Sequence, residues 1–327
     1  MARQILSIAR NTFTESIRQP IFVILLGGVM IMLLLAISLS AYTLDDDNKL
    51  MIDMGLSMCF VGGLALAAFT ASGVLAREIE NKTALTVISK PIGRPAFVLG
   101  KYLGVSAALS LAFWIWALML LMLVRHKVLS AAYMSADAPV VSFMSIALAA
   151  AFVVAVWGNF FYGWVFASNF SGVLAATMTV AFALVLVINK DWQLQAPITE
   201  FTHEESLVGP VAVALWLVFL GVLLMASVAI ASSTRAGQVV TLLVCAIVFL
   251  AGLYSDFMFG RHLATHPAAW IGYALLPNVQ FLFLADAITQ NHPVSGYYVG
   301  LVAGYCALYI GAVLALAVAL FQTREAG

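Results

Sequence analysis

Arg77–Lys101 reads REIENKTALTVISKPIGRPAFVLGK and is the stretch in which charge is packed most densely. It holds five of the fifteen Lys and Arg residues of a 327-residue chain that is 64% hydrophobic and only 9% charged. Soluble domains carry about a quarter charged residues, and the mean hydropathy here is +1.05. The apolar runs on both sides of the stretch are long enough to cross a bilayer. The chain therefore reads as an all-α polytopic membrane bundle, and Arg77–Lys101 reads as the loop it shows to something soluble.

A span needs about 20 mainly apolar residues to cross about 30 Å of hydrocarbon. Eight segments qualify: Ile21–Tyr42, Met54–Ala76, Tyr102–Val124, Val141–Ala167, Gly172–Ile188, Val211–Ala231, Val239–Tyr254 and Tyr297–Phe321. The fifth and seventh are short, so six or seven spans are the alternatives. Residues 268–284 are apolar but interrupted by Pro277 and Asn278, which suits a re-entrant or interfacial segment within the single permease domain 20–327. The first run is longer than the core of a signal peptide and reads as an uncleaved span.

With the N-terminus inside, Arg3, Arg10, Arg18, the five basic residues of 77–101, Arg235 and Arg324 are cytoplasmic. Lys49, Arg125, Lys127, Lys190 and Arg261 are outside. Ten against five places both termini in the cytoplasm. Formal net charge is zero and is silent on a nucleic-acid partner, and none is expected; the lipid bilayer is the expected surrounding.

Residues 1–19 form a separate element. Ile5, Ile8, Ala9, Thr12, Phe13, Ser16 and Ile17 share one helix side, with Arg3, Arg10, Glu15 and Arg18 on the other, and Pro20 follows. That pattern describes a basic amphipathic helix lying along the cytoplasmic surface.

Several chemistries lack their residues. Gly100-Lys101 is a lone pair: Pro95 and Tyr102 stand where a phosphate-binding loop needs Gly and Ser or Thr, so no ATP-binding motif is present. HExxH and GxSxG are absent. His262 and His266 are spaced i, i+4 without further ligands, so no metal site is expected, and Cys59, Cys245 and Cys306 read as small buried hydrophobes. The spans hold almost no ionisable residue, which counts against an ion-coupled carrier. Asn159, in WGNFFYGW, reads as a mid-span residue making an interhelical hydrogen bond, with a substrate path as the alternative. Gly300-x-x-x-Gly304 suits close helix packing, and Ser168–Gly172 and Ser232–Gly237 read as tight polar turns on the cytoplasmic side.

Within 77–101, Glu78 and Glu80 precede Thr83, which caps a short apolar helix that Pro91 stops; Gly93-Arg94-Pro95 breaks the chain again. The residues alone leave a docking knob and an ordinary solvated loop evenly matched. The pattern Arg77-Glu78-x-Glu80-x-x-Thr83, Ser89-Lys90-Pro91-Ile92, Arg94 and Gly100-Lys101 resembles the cytoplasmic loop of ABC-2-type ABC transporter permeases. Lys82 and Gly93 stand where that family commonly has Gly and Ser. The amphipathic N-terminal helix resembles the family's elbow helix. Ser232-Ser233-Thr234-Arg235 resembles a later turn, and Leu276-Pro277-Asn278 with Asp286-Ala287 a segment before the last span.

The resemblance implies a bacterial plasma-membrane exporter subunit without catalytic residues of its own. It would pair as a homo- or heterodimer and bind cytoplasmic ABC ATPase subunits that hold ATP and Mg, this chain needing no cofactor. The helix around Thr83–Ser89 would be the coupling helix, with Glu78, Glu80, Thr83, Pro91, Arg94 and Lys101 forming the docking and bracing set. Eight spans exceed the family's usual six, which makes 141–189 an extra hairpin. A non-transporting anchor or assembly subunit using the same surface is the rival reading. Cargo and direction are not legible, although spans so poor in charge suit a lipid or amphipathic cargo better than a small ion.

Overall fold

The computed structural model describes residues 1–41, 47–80, 93–128, 136–202, 206–262, 267–284, 288 and 294–322. Helices account for nearly all of them: α1 (Ala2–Arg18), α2 (Pro20–Ser40), α3 (Asp47–Glu80), α4 (Arg94–His126), α5 (Ala138–Tyr162), α6 (Phe166–Val187), α7 (Thr199–Thr202), α8 (Val208–Ser233), α9 (Gln238–Leu253), α10 (Ser255–Met258), α11 (Pro267–Leu275) and α12 (Gly296–Gln322). Among the described residues the only β pairing is an isolated bridge between Ile188 and Leu194. Among the described residues, seven helices are long and apolar enough to cross a membrane, and α9 with its bent continuation makes eight. We call the end carrying Arg18, Arg94 and Arg235 inner, following the charge count.

Three helices make the interior. The most apolar windows of α8, α4 and α3 are 78%, 72% and 56% buried, against 22–33% for α2, α5, α6 and α12. Lipid solvates apolar surface as readily as protein does, so these helices associate through close packing and hydrogen bonds. Gly63 of α3 sits where any side chain would strike Val222 of α8. The Trp116 indole of α4 is fully buried and donates to the Leu26 carbonyl of α2 at 3.0 Å. The Tyr102 hydroxyl donates to the Leu223 carbonyl of α8 at 3.3 Å.

The peripheral helices bury one stripe each. In α5 the buried positions after Pro139 are Val140, Met144, Ala147, Ala151, Ala155 and Gly158, and in α6 they are Ala167, Ser171, Leu174, Met178, Ala181 and Val185. Steps of three and four with mostly small residues build a tight antiparallel hairpin whose other faces meet lipid. Thr177 Oγ1 lies 3.1 Å from the Ala147 carbonyl across it.

The inner turn of this hairpin is not where the sequence suggests. Ser168–Gly172 lies inside α6, and the chain reverses at Gly163–Val165. Gly163 adopts φ +65, and its N–H and that of Trp164 both donate to the Gly158 carbonyl. A left-handed residue here needs glycine. Asn159 is correspondingly no mid-span residue: its Nδ2 donates to the Trp164 carbonyl at 2.7 Å and closes this turn.

After α9 the axis bends by 61° into Ser255–His262, and α11 ends before Pro277. Tyrosines of α12 supply the hydrogen bonds that the broken backbone lacks. Tyr309 Oη donates to the Leu275 carbonyl at 2.7 Å, and Tyr298 Oη to the Phe281 carbonyl at 2.8 Å. Tyr305 Oη accepts the Asn278 N–H at 2.9 Å. Tyr309 lies about 20 Å along α12 from Gly296 at 1.5 Å per residue, so this contact is well below the outer end.

Candidate functional site: the inner face

Both flanks of the 77–101 stretch are helical. α3 runs on to Glu80, and α4 starts at Arg94, earlier than the hydropathy edge at Tyr102. Pro95 opens α4 instead of breaking the chain, because the first turn needs no intrahelical N–H from it. Each helix is about 50 Å long at 1.5 Å per residue, well beyond the hydrocarbon thickness. Gln19, extended ahead of Pro20, turns the chain from α1 into α2. Its Oε1 would lie 3.1 Å from a Cβ on Gly73. The remaining turns of α3, through Glu80, therefore stand about 10 Å past the elbow.

The elbow helix is keyed into α4. A Cβ on Gly100 would lie 2.7 Å from Ile8 Cβ and 3.1 Å from the Ile5 carbonyl oxygen. One on Gly104 would lie 2.5 Å from Thr12 Cβ and 2.6 Å from the Ala9 carbonyl oxygen. Gly100-x-x-x-Gly104 is therefore the crossing point of two backbones, a use of small residues common between membrane helices. Thr12 and Ser16 are fully buried, and Ile8, Phe13 and Ile17 pack on the core, as the amphipathic pattern requires. Sequence reasoning missed this glycine pair and named Gly300 and Gly304. A Cβ added at either of those would meet nothing within 4 Å, so both face open space.

Among the expected docking residues, Glu78 and Glu80 fall in the last turn of α3 and Arg94 is the exposed first residue of α4. Thr83 and Pro91, with the short helix expected around Thr83–Ser89, lie outside the described residues. Lys101 is two turns into α4 and only 1% exposed. Its ammonium lies 5.6 Å from the Phe97 ring centroid, a favourable cation–π arrangement. Phe97 in turn stacks on Phe321 of α12 at 5.4 Å. Arg235, in the turn between α8 and α9, donates from Nε to the Leu320 carbonyl at 3.1 Å. Lys101 thus belongs to a seam joining α4 to the end of α12, while Arg94 faces outward at the foot of the stretch.

The inner face, then, is a pedestal: two long helices ending past an amphipathic helix locked to one of them at paired glycines. The family described as ABC-2 family transporter protein matches residues 6–169, half of the chain. The chain belongs to the ABC-2 transporter family. The match takes in the elbow from Leu6 onward, both long helices of the pedestal and the whole of α5. No curated protein matches the chain. As an ABC-2 permease, the chain is a multi-pass membrane component of an ABC transporter.

At its outer end this permease holds a buried ionic clasp that the sequence did not single out as a unit. Arg125 Nε lies 3.3 Å from Asp137 Oδ2 and 3.4 Å from Glu200 Oε1, and its Nη2 donates to the Ile188 carbonyl at 2.7 Å. Asp137 also caps α5 by accepting the Val140 N–H, and Gln195 Nε2 donates to Glu200 at 2.8 Å. One guanidinium joins the outer ends of α4, α5 and α6 to the short helix α7. The three cysteines are buried and free. No group of three potential metal ligands gathers among the described residues; His266 lies outside them.

Proposed function

We propose that the chain is the membrane subunit of an ATP-driven exporter of a bacterial plasma membrane, powered by separate cytoplasmic ABC ATPase subunits docked on residues 77–101. The observation that carries this reading is the pedestal. A force applied between Glu80 and Arg94 acts on α3 and α4, which run unbroken into the most buried part of the bundle. Closely packed interiors deform little and pass displacement on as rigid-body motion. The elbow, keyed at Gly100 and Gly104, would move with α4. In this reading Glu78, Glu80, Thr83 and Pro91 form the docking surface with the coupling helix. Arg94 meets the partner from the foot of α4, and Lys101 holds that foot against α12.

ATP and Mg belong to the partner, and this chain supplies no cofactor site. Two permease copies, identical or different, would enclose the cargo path. Residues 268–284 would be a re-entrant segment within the single domain 20–327, a reading supported by the hydrogen bonds of Tyr305 and Tyr309 to Asn278 and Leu275.

Purification from native membranes tests the proposal. An ATPase subunit should travel with the protein, and Glu78→Ala or Thr83→Ala should change its ATP turnover. An ATPase whose turnover ignores both substitutions would remove coupling through this loop; no accompanying ATPase would favour the rival anchor reading.

A further inference from the structure

Helix α4 packs against the α5–α6 hairpin on one flank and against α8 on another. On one flank of α4, the Trp114 indole N–H donates to Thr179 Oγ1 of α6 at 2.9 Å. On the other, Phe113 of α4 packs on Phe219 of α8 with ring centroids 5.1 Å apart. Between α4 and α8, beside these contacts, lies a slot of about 270 Å³ lined by Phe113, Trp114, Ala117, Ala212, Trp216 and Phe219. We infer that this slot is a binding site for one hydrocarbon chain of a bilayer phospholipid.

The chemistry of the walls selects the occupant. No charged residue lines the slot, and its one hydroxyl, on Ser110, already donates to the Ser106 carbonyl at 2.8 Å. A headgroup, ion or polar solute would give up hydration here without compensation. Depth points the same way. Ala212–Phe219 lie about 6–17 Å along α8 from its outer end at Val208, within the hydrocarbon half-layer. A whole helix, about 10 Å across with its side chains, is too thick to enter. An alkyl chain fits the shape and the polarity, and an empty slot would forfeit dispersion contacts along both walls. Trp114 and Trp216 are each 50% exposed, and the Thr179 bond fixes the Trp114 ring as a wall. The bound chain would fill the groove between α4 and α8. This inference stands independently of how the permease is powered.

Bromine quenches tryptophan emission on contact, which supplies the test. The full-length protein is placed in vesicles of phosphatidylcholine brominated mid-chain. The contribution of the two wall tryptophans is the difference between the parent and a Trp114→Phe/Trp216→Phe variant. Ala212→Phe fills the slot without removing a contact, whereas Val153→Phe adds the same ring on the lipid-facing side of α5. The expected result is that Ala212→Phe loses most of the wall-tryptophan quenching, and that native mass spectrometry finds one retained phospholipid fewer than with Val153→Phe. Ala117→Leu, filling from α4, should behave like Ala212→Phe and serves if the latter fails to fold. Equal quenching and equal lipid retention in slot-filled and control variants would overturn the inference.

Discussion

Gly104→Ala adds a single methyl group where α1 crosses α4. That carbon would sit 2.6 Å from the Ala9 carbonyl oxygen and 2.5 Å from Thr12 Cβ, about 1 Å short of ordinary contact. The carbonyl belongs to helical backbone and cannot rotate aside, so α1 must retreat as a body. Overpacking of this kind costs about 1–3 kcal/mol. The intrinsic effect of the substitution has the opposite sign, since alanine favours a helix over glycine by about 1 kcal/mol. Release of α1 therefore separates a keyed elbow from a loosely lying one. Ser16→Cys places a reporter on the fully buried side of α1, and the three natural cysteines are buried and do not compete. In the regime where labelling follows the open population, thiol modification of Cys at position 16 should accelerate about 5- to 150-fold. Gly300→Ala, introduced where nothing lies within 4 Å, should leave the rate unchanged. A labelling rate in Gly104→Ala equal to that of its parent would refute the glycine key.

Arg125→Met should lower the thermal stability of the purified protein strongly, by about 3–5 kcal/mol, because two largely buried carboxylates lose their cation. Arg125→Lys should fall between, since an ammonium cannot hold Asp137, Glu200 and the Ile188 carbonyl in one planar fork. Gly163→Ala should cost about 1 kcal/mol or more by forcing a side chain into the left-handed region, visible as a lower unfolding midpoint. Tyr309→Phe removes the donor to the Leu275 carbonyl, and an unsatisfied acceptor in an apolar layer costs about 1–3 kcal/mol. Faster proteolytic nicking of the 263–284 region is the expected reading, and an unchanged digestion pattern would count against that tether.

Each of the eight apolar segments coincides with a helix over most of its length, because length and hydropathy report directly on what lipid tolerates; Val141–Ala167 also takes in the turn at Gly163–Val165. Helix ends were less legible. They follow caps and local hydrogen bonds, so Arg94–Lys101 continues α4 despite its charge, and Gly163 ends α5 within an aromatic run that carries no polar turn signal. The glycine pairs show a different limit. Gly100/Gly104 and Gly300/Gly304 have the same spacing, and only the three-dimensional arrangement reveals which faces a neighbour. Arg125 was visible as a charge at a helix end. Its partners are 12 and 75 residues away in sequence, and nothing in either segment advertises the pairing. The docking residues divide similarly: Arg94 and Lys101 look alike in sequence, yet one is exposed and the other is enclosed beside Phe97.

Site-specific photocross-linking from position 83 in native membranes tests the central claim most directly. The account predicts that a photoreactive residue replacing Thr83 captures an ATPase subunit bearing a phosphate-binding loop, and that one replacing Leu194, at the outer end, does not. Capture of that ATPase from other positions but never from position 83 would contradict it.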